Sequence, residues 1–390
     1  MRAARELPTI ARMKTANAGA AAADAPPFAR QLCLSMIVKD EAAVIARCLA
    51  SVRPLIGAWA IVDTGSLDGT QALVRAALAG LPGELVERPW IDFASNRNQA
   101  LDLARGHGDY ALIVDADEIV EIDPAARFPD RLDAPGYYLR QQLAGSEFEY
   151  RSAKLLRHDA GWRWRGVLHE YPAAEPQPRM ESLDGLRVHS FPDGARSRRP
   201  QRDKYLADAA VLEAALQREP ANARYAFYLA QSLRDAGETA RALEAYRQRA
   251  AMGGWAEEVW YARFQIAVLL ERLDAGDAAI IDAYLAAFES RPTRAEPLCE
   301  LARFLRLKRR HAAAWVHARA AAGLPVPDDL LFVDLSVYRW RARDEQAIAA
   351  YYIGHRAESA ALCEALLADP ALPEGERERV AANARFGRGA

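Results

Sequence analysis

Cysteine is scarce in this 390-residue chain, and so is any long apolar run. The 4 cysteines, Cys33, Cys48, Cys299 and Cys363, are scattered, and each sits inside an apolar pattern. No metal or redox spacing links them, so they read as buried free thiols of a reducing compartment, and the expected location is cytoplasmic. No stretch approaches the roughly 20 apolar residues of a membrane span. Residues 1–30 are rich in Ala and Arg but lack the apolar centre of a secretory signal, so they read as a disordered lead. A charge surplus is also missing. The formal net charge of −2 argues against a general nucleic-acid binder. No Gly-x-Gly-x-x-Gly follows the first apolar run, which argues against a nicotinamide dehydrogenase.

What is present suits two domains with packed cores: the length is ordinary for a pair, and 51% of residues are hydrophobic. Short apolar runs at Leu32–Val38, Ala58–Val62, Glu84–Arg88 and Tyr110–Val114 alternate with helical patterns. The first helix carries Val44, Ile45, Cys48, Leu49 and Val52, the second Leu73, Val74, Ala77, Leu78 and Leu81, and the third spans Phe93 to Ala104. This alternation predicts a mostly parallel, doubly wound sheet. Asp40, Asp63 and the pair Asp115/Asp117 all fall at carboxyl ends of successive strands, the edge where ligands bind in such sheets. Two acids spaced i, i+2 at a strand end can reach one hard cation, which suits a diphosphate. The bland alternative is a solvated acidic turn. Asp63 and Asp68 have a similar alternative in turn chemistry, since Asp68-Gly69 is a favoured turn pair and Thr70 a natural helix cap.

Met36-Ile-Val-Lys-Asp-Glu41, Ile61-Val-Asp-Thr-Gly-Ser-Leu-Asp-Gly-Thr70 and Ile113-Val-Asp-Ala-Asp-Glu118 together resemble the nucleotide-sugar half of family 2 glycosyltransferases of GT-A fold. Trp90-Ile-Asp-Phe-Ala-Ser-Asn-Arg-Asn98 resembles the portion between the second and third of these motifs. The resemblance covers about Leu32 to Pro192. It implies an α/β GT-A domain, a nucleoside-diphosphate sugar (foremost a UDP-sugar), an inverting displacement, and a divalent cation, Mn²⁺ or Mg²⁺, at Asp117 and Asp115. It also implies donor contacts at Lys39, Glu41, Asp63, Asp68, Arg97 and Asp115, with Asp63 matching the acid that contacts the nucleoside.

Beyond the acids, Tyr137–Arg140 and Ala153–Arg157 read as strands of a long hairpin. Trp162 and Trp164 offer faces on which a sugar ring stacks, or else they fill the core. Gly161 to Glu170 resembles the Trp-x-Gly-x-x-His-Glu element of these transferases, which places the catalytic base at or next to Glu170, with Trp162, Trp164 and His169 on the acceptor side. A later strand, Leu186–Val188, ends at His189. By the same resemblance His189 completes the metal shell; the alternative is a surface histidine before the turn Pro192-Asp-Gly194. Arg196, Arg198, Arg199, Arg202 and Lys204 then form a basic run, either an attraction for anions or a solvated linker.

From Asp203 onward no strand pattern is visible. Helical segments pair up, with prolines at 292, 325 and 370 about one repeat apart, as in tetratricopeptide repeats. The expected organisation is therefore a lead over 1–30, a GT-A transferase domain over 31–202, and an all-α tetratricopeptide-like solenoid over 203–390. The leading functional expectation is metal-dependent sugar transfer to a protein, peptide or glycan acceptor. The helical half would select the acceptor without doing chemistry, or make a homodimer. One rival is a non-catalytic scaffold. Another is a haloacid-dehalogenase-type phosphatase, suggested by Leu67-Asp-Gly-Thr70, but Ser66 stands where that chemistry needs an aspartate nucleophile.

Overall fold

The computed structural model describes residues 25–195 and 200–388. Residues 1–24, and Arg196, Arg198 and Arg199 of the basic run, lie outside the described residues. The last part of the expected lead is folded: Pro27–Gln31 form a 3₁₀ turn that buries Phe28 edge-on against Phe128, ring centroids 5.5 Å apart. One aromatic anchor is enough to tie down a terminus that composition alone reads as loose.

β1 (Leu32–Val38) and β2 (Ala58–Asp63) are buried almost throughout, which is why they read as continuous apolar runs. β3 (Gly83–Glu87) lies at the sheet edge and is more exposed. α1 (Ile45–Val52) buries Ile45, Cys48, Leu49 and Val52, one helical face. α2 (Thr70–Ala77) follows β2. α3 (Phe93–Ala104) has the expected limits, because Asp92 caps it by accepting from the Ser95 amide at 2.7 Å. β4 (Tyr110–Ile113) completes a parallel group in which β1 lies between β2 and β4.

The rest of the sheet comes from β5 (Glu118–Ile122), β6 (Gly136–Leu143), β7 (Phe148–Arg157) and β10 (Glu181–Ser190), in the order β3-β2-β1-β4-β7-β6-β10-β5. β7 runs antiparallel to β4 and β6, so the sheet is parallel on one side and mixed on the other. The hairpin β6–β7 was legible as two strands. β5 was not, because Glu118 reads as the end of an acidic turn, and neither was the small ribbon β8 (Arg163–Arg165) and β9 (Tyr171–Ala173). Leu34, Met36, Ile61, Leu112 and Val188 meet in the main core, each no more than 1% exposed. Full burial of such a side chain contributes about 1.5–3 kcal/mol.

The helical half comprises α4 (Gln201–Arg218), α5 (Ala223–Asp235), α6 (Thr239–Ala251), α7 (Ala256–Arg272), α8 (Asp277–Ser290), α9 (Glu296–Leu307), α10 (His311–Ala322), α11 (Ala342–Tyr352), α12 (Arg356–Ala368) and α13 (Glu374–Arg388). Buried small residues, Ala230, Ala242 and Ala262, let the first helices approach closely. One feature departs from expectation. After α10 the chain returns to the first half, where β11 (Val333–Asp334) pairs antiparallel with the start of β7. The Arg151 amide donates to the Leu330 carbonyl at 2.7 Å, and the Leu335 amide to Glu147 at 3.0 Å. Arg294, fully buried, anchors this excursion by pairing with Glu296 and Asp329. A two-residue strand is too short to show any periodicity in sequence. All 4 cysteines are free and buried. Among the described residues no helix is long and apolar enough to cross a membrane.

Candidate active site

Val38 and Asp63 are direct neighbours across the β1–β2 ladder, so the loops leaving these strands must meet. They are stitched together. The Asp40 amide donates to Ser66 Oγ at 2.9 Å, the Leu67 amide to Asp40 Oδ1 at 2.8 Å, and the Glu41 amide to Thr70 Oγ1 at 2.8 Å. Asp40 takes a left-handed φ of 56°, held by these bonds. Asp68 spends both oxygens inside the loop, accepting from the Thr70 amide and hydroxyl and from the Ala42 amide. It is a loop staple, as the turn-chemistry alternative expects.

Asp63 is fully buried at the end of β2. Its Oδ1 accepts from the Gly65 and Ser66 amides, each at 2.8 Å, and from Gln71 at 3.1 Å. Burial alone would raise its pKa, but the bonds from Ser66, Gly65 and Gln71 outweigh it and hold the carboxyl below the usual range. Its Oδ2 has no hydrogen-bond partner among the described residues, an acceptor kept from water.

The acids after β4 divide by role. Glu118 is buried and committed to Lys154 at 2.7 Å, Gln141 at 2.5 Å and the Asp115 amide at 3.0 Å, a network that ties β5, β6 and β7 beneath the turn. Asp115 accepts from Arg97 Nη2 at 2.7 Å. Arg97 in turn donates from Nε to Glu170 Oε1 at 2.5 Å. One guanidinium on α3 thus joins the strand-end acid to the acid proposed as base. Burial would push Asp115 up, but the charges of Arg97 and Lys154 hold it below the usual carboxylate range. Among the described residues Asp117 has no such cation. Burial, then Asp115, Glu118 and Glu41, push it up to about 7.

Residues 191–195 lie across this turn. The Phe191 amide donates to the Asp117 carbonyl, Asp193 forms a two-point pair with Arg47, and the Ala195 amide donates to Glu41 Oε2 at 3.0 Å. A Cβ on Gly194 would stand 2.8 Å from Asp117 Oδ2. Gly194→Ala should therefore displace Asp117 or the strap, lowering turnover roughly 10-fold while leaving thermal stability nearly unchanged; a misplaced group of this kind costs up to about 100-fold. Wild-type turnover in this variant would show that the close approach does not matter.

Several expected positions resolve differently. Trp162 is 1% exposed and donates to the Pro135 carbonyl at 2.9 Å. Trp164 is 8% exposed, its backbone paired on both sides with the Asn98 amide group. Both fill the core with Leu101, Ile113 and Leu156, so neither presents a face to an acceptor. Trp164 instead supports the Arg97 guanidinium, 5.1 Å from its ring. His189 pairs with Glu121 at 2.7 Å, while its neighbour Ser190 reaches Glu118 on the opposite face of β10. Strand alternation therefore turns His189 away from the acids it was expected to join. Lys39 is exposed beside this loop cluster. His169 docks on the helical half: its ring stacks on Tyr228 at 3.8 Å, and its carbonyl accepts from Arg224 at 3.0 Å and 3.2 Å. Sequence reasoning missed Tyr228, Arg224 and Gly194. The first two sit in a helix pattern whose aromatics read as ordinary packing, and the third in an ordinary turn.

Residues 33–175 match the family model described as glycosyl transferase family 2. A TPR repeat-containing protein of Synechococcus elongatus is 29% identical over 272 residues, which is 66% of each chain. An uncharacterized glycosyltransferase of Rickettsia felis is 32% identical over 83 residues, 21% of this chain and 27% of that protein. This chain thus spans slightly less than two thirds of the first relative's length. Among solved structures, S. aureus TarS 1–349 in complex with UDP-GlcNAc is 16% identical with a TM-score of 0.36, covering 67% of this chain and 91% of that one. A TPR protein of Thermus thermophilus is 17% identical with a TM-score of 0.33, covering 46% and 91%. The glycosyl transferase family 2 match thus falls on the sheet of the first half, over residues 33–175. The second half is a run of tetratricopeptide-type helical repeats.

Proposed function

We propose that this chain is an inverting glycosyltransferase that moves a sugar from a nucleoside diphosphate to a protein, peptide or glycan acceptor, with a divalent cation. The observation that carries this reading is the row Asp115–Arg97–Glu170, which sets a basic side chain and a second carboxylate beside the strand-end acids of the family 2 domain.

The donor set suits a Mg²⁺ or Mn²⁺ ion. Asp115 and Asp117 offer hard oxygens, and Asp117, raised first by burial and then by the charges of Asp115, Glu118 and Glu41, is a carboxyl that a bound cation would help to ionise. Among the described residues no group of three His, Cys, Asp or Glu side chains is placed to hold a metal, so the remaining positions fall to the diphosphate and water. When bound, the cation would neutralise charge on the leaving diphosphate.

The chain's own residues supply the rest. Asp63 Oδ2 is acceptor-only and suits a base with a ring N–H, such as uracil. Arg97 carries a positive charge into the site, where it can share a diphosphate oxygen. Glu170 takes the proton of an acceptor hydroxyl as that oxygen bonds to the anomeric carbon, and the carbon–phosphate-oxygen bond breaks on the opposite face. The test is a panel of nucleoside diphosphates and their sugars with Mn²⁺ or Mg²⁺. Thermal stabilisation by UDP with cation, and slow cation-dependent hydrolysis of a UDP-sugar, are the expected results. Neither effect with any nucleotide would leave only the scaffold reading.

A further inference from the structure

The helical half reaches the loop that carries Glu170. Every neighbour of that residue is anchored there. Val167 and Leu168 pack with Leu212, Ala215 and Tyr225 of α4 and α5. The His169 ring lies flat on Tyr228, 7° from parallel at 3.8 Å, and its carbonyl takes two bonds from Arg224. Tyr171 meets the same guanidinium, 4.6 Å from its ring centre. Arg224 also faces the Tyr228 ring at 4.9 Å and Glu258 of α7 at 3.7 Å, and Glu258 is itself paired with the buried Arg249. Glu170 alone turns the other way, toward Arg97 on α3.

The loop needs such support. Gly166 has φ 110° and His169 has φ 50°, the second a left-handed conformation that a histidine adopts only when its surroundings hold it. The stacked Tyr228 ring and the two Arg224 bonds supply such a hold, with Phe93 of α3 packed in the same cluster. α5 is capped by Asn222, whose side chain accepts from the Tyr225 amide at 3.1 Å, so the helix offers Arg224, Tyr225 and Tyr228 from one rigid first turn and the next.

We propose that the first helices of the repeat domain form a wall of the transfer site, and that Tyr228 and Arg224 are positioning residues which fix the 166–171 loop so that Glu170 faces Arg97 and the acid pair. This rests on the glycosyltransferase reading, and it gives the repeats a role in the chemical step in addition to any choice of acceptor. A base held by a loop needs such support, because a misplacement of about 1 Å costs on the order of 100-fold in rate.

The test uses the full chain and four proteins: wild type, Tyr228→Phe, Tyr228→Ala and Arg224→Ala. Hydrolysis of the UDP-sugar turned over best by wild type is followed, together with UDP binding by calorimetry and hydrogen exchange of the 166–171 segment. Tyr228→Ala and Arg224→Ala should lower kcat by roughly 10- to 100-fold with KM for the donor and UDP affinity unchanged. Tyr228→Phe keeps the stacked ring and loses only the long 3.3 Å bond that the hydroxyl accepts from Arg224, so its loss in kcat should be much smaller than that of Tyr228→Ala. Exchange should quicken at 166–171 and nowhere else. Arg224 is partly exposed, so its variant remains informative if Tyr228→Ala does not fold. Unchanged kcat in Arg224→Ala, or equal losses in kcat and UDP binding, would overturn the positioning role. If wild type hydrolyses no donor, the transferase reading fails, and exchange then decides the clamp alone: quickening confined to 166–171 sustains it, and unchanged exchange removes it.

Discussion

Glu170→Gln should lower turnover by about 10²- to 10⁴-fold, the range of a lost general base. Donor affinity should hold. Gln is the same size as Glu and can still accept from Arg97 through its carbonyl oxygen, so the Arg97 link to Asp115 survives. What Gln cannot do at neutral pH is take a proton. The loop should stay in place as well, since its anchors are Leu168, His169 and Tyr171 rather than the carboxylate. Pre-steady-state or steady-state transfer assays, with UDP binding measured alongside, separate the two effects. A large loss of nucleotide binding would move Glu170 from the acceptor side to the donor or metal site. Near-normal turnover would pass the base to another group.

The second large effect is expected at Asp117. Asp117→Asn should abolish cation-dependent turnover, because one of the two hard oxygen ligands loses its charge. Stability should move the opposite way. The folded pKa of Asp117 is raised from 3.8 to about 7, so the folded state binds the proton more tightly than the unfolded chain. Stability from this group is then present in full below the unfolded pKa and is lost as pH rises through about 7. In chelator-treated protein, Asn should raise Tm at about pH 8, where the aspartate is ionised among Asp115, Glu118 and Glu41. At about pH 3 the two proteins should melt alike. Added Mn²⁺ should stabilise wild type and leave the variant unmoved. Full turnover with cation in Asp117→Asn would remove Asp117 from the metal site, and equal melting at pH 8 would show that the crowding of acids is relieved without it.

The arrangement of the two halves changes how the repeats are understood. The helical half was expected to stand apart from the chemistry. Instead β11 pairs with β7, the buried Arg294 braces the return loop, and α5 grips the loop carrying Glu170. Shortening the chain near Arg202 would therefore strip the transferase half of packing as well as of any acceptor surface.

Much of the fold was legible because its signals are local. Burial on both faces makes β1 and β2 continuous apolar runs, and Asp92 caps α3 within its own turn. The acids at strand ends follow from the same alternation, which is how Asp63, Asp115 and Asp117 were found. The sequence by itself determined this much: the order of elements, the sheet edge that carries the acids, and the paired helices of the second half. Tertiary structure decided what local pattern cannot carry. It assigned Trp162 and Trp164 to the core, turned His189 toward Glu121, and spent Asp68 on its own loop. It also put Arg97 between Asp115 and Glu170, which lie 55 positions apart in the chain, and brought Tyr228 onto His169. The physical reason is reach. Capping and periodicity act over a few residues, whereas ion pairs and ring stacking form only after distant segments have been packed together.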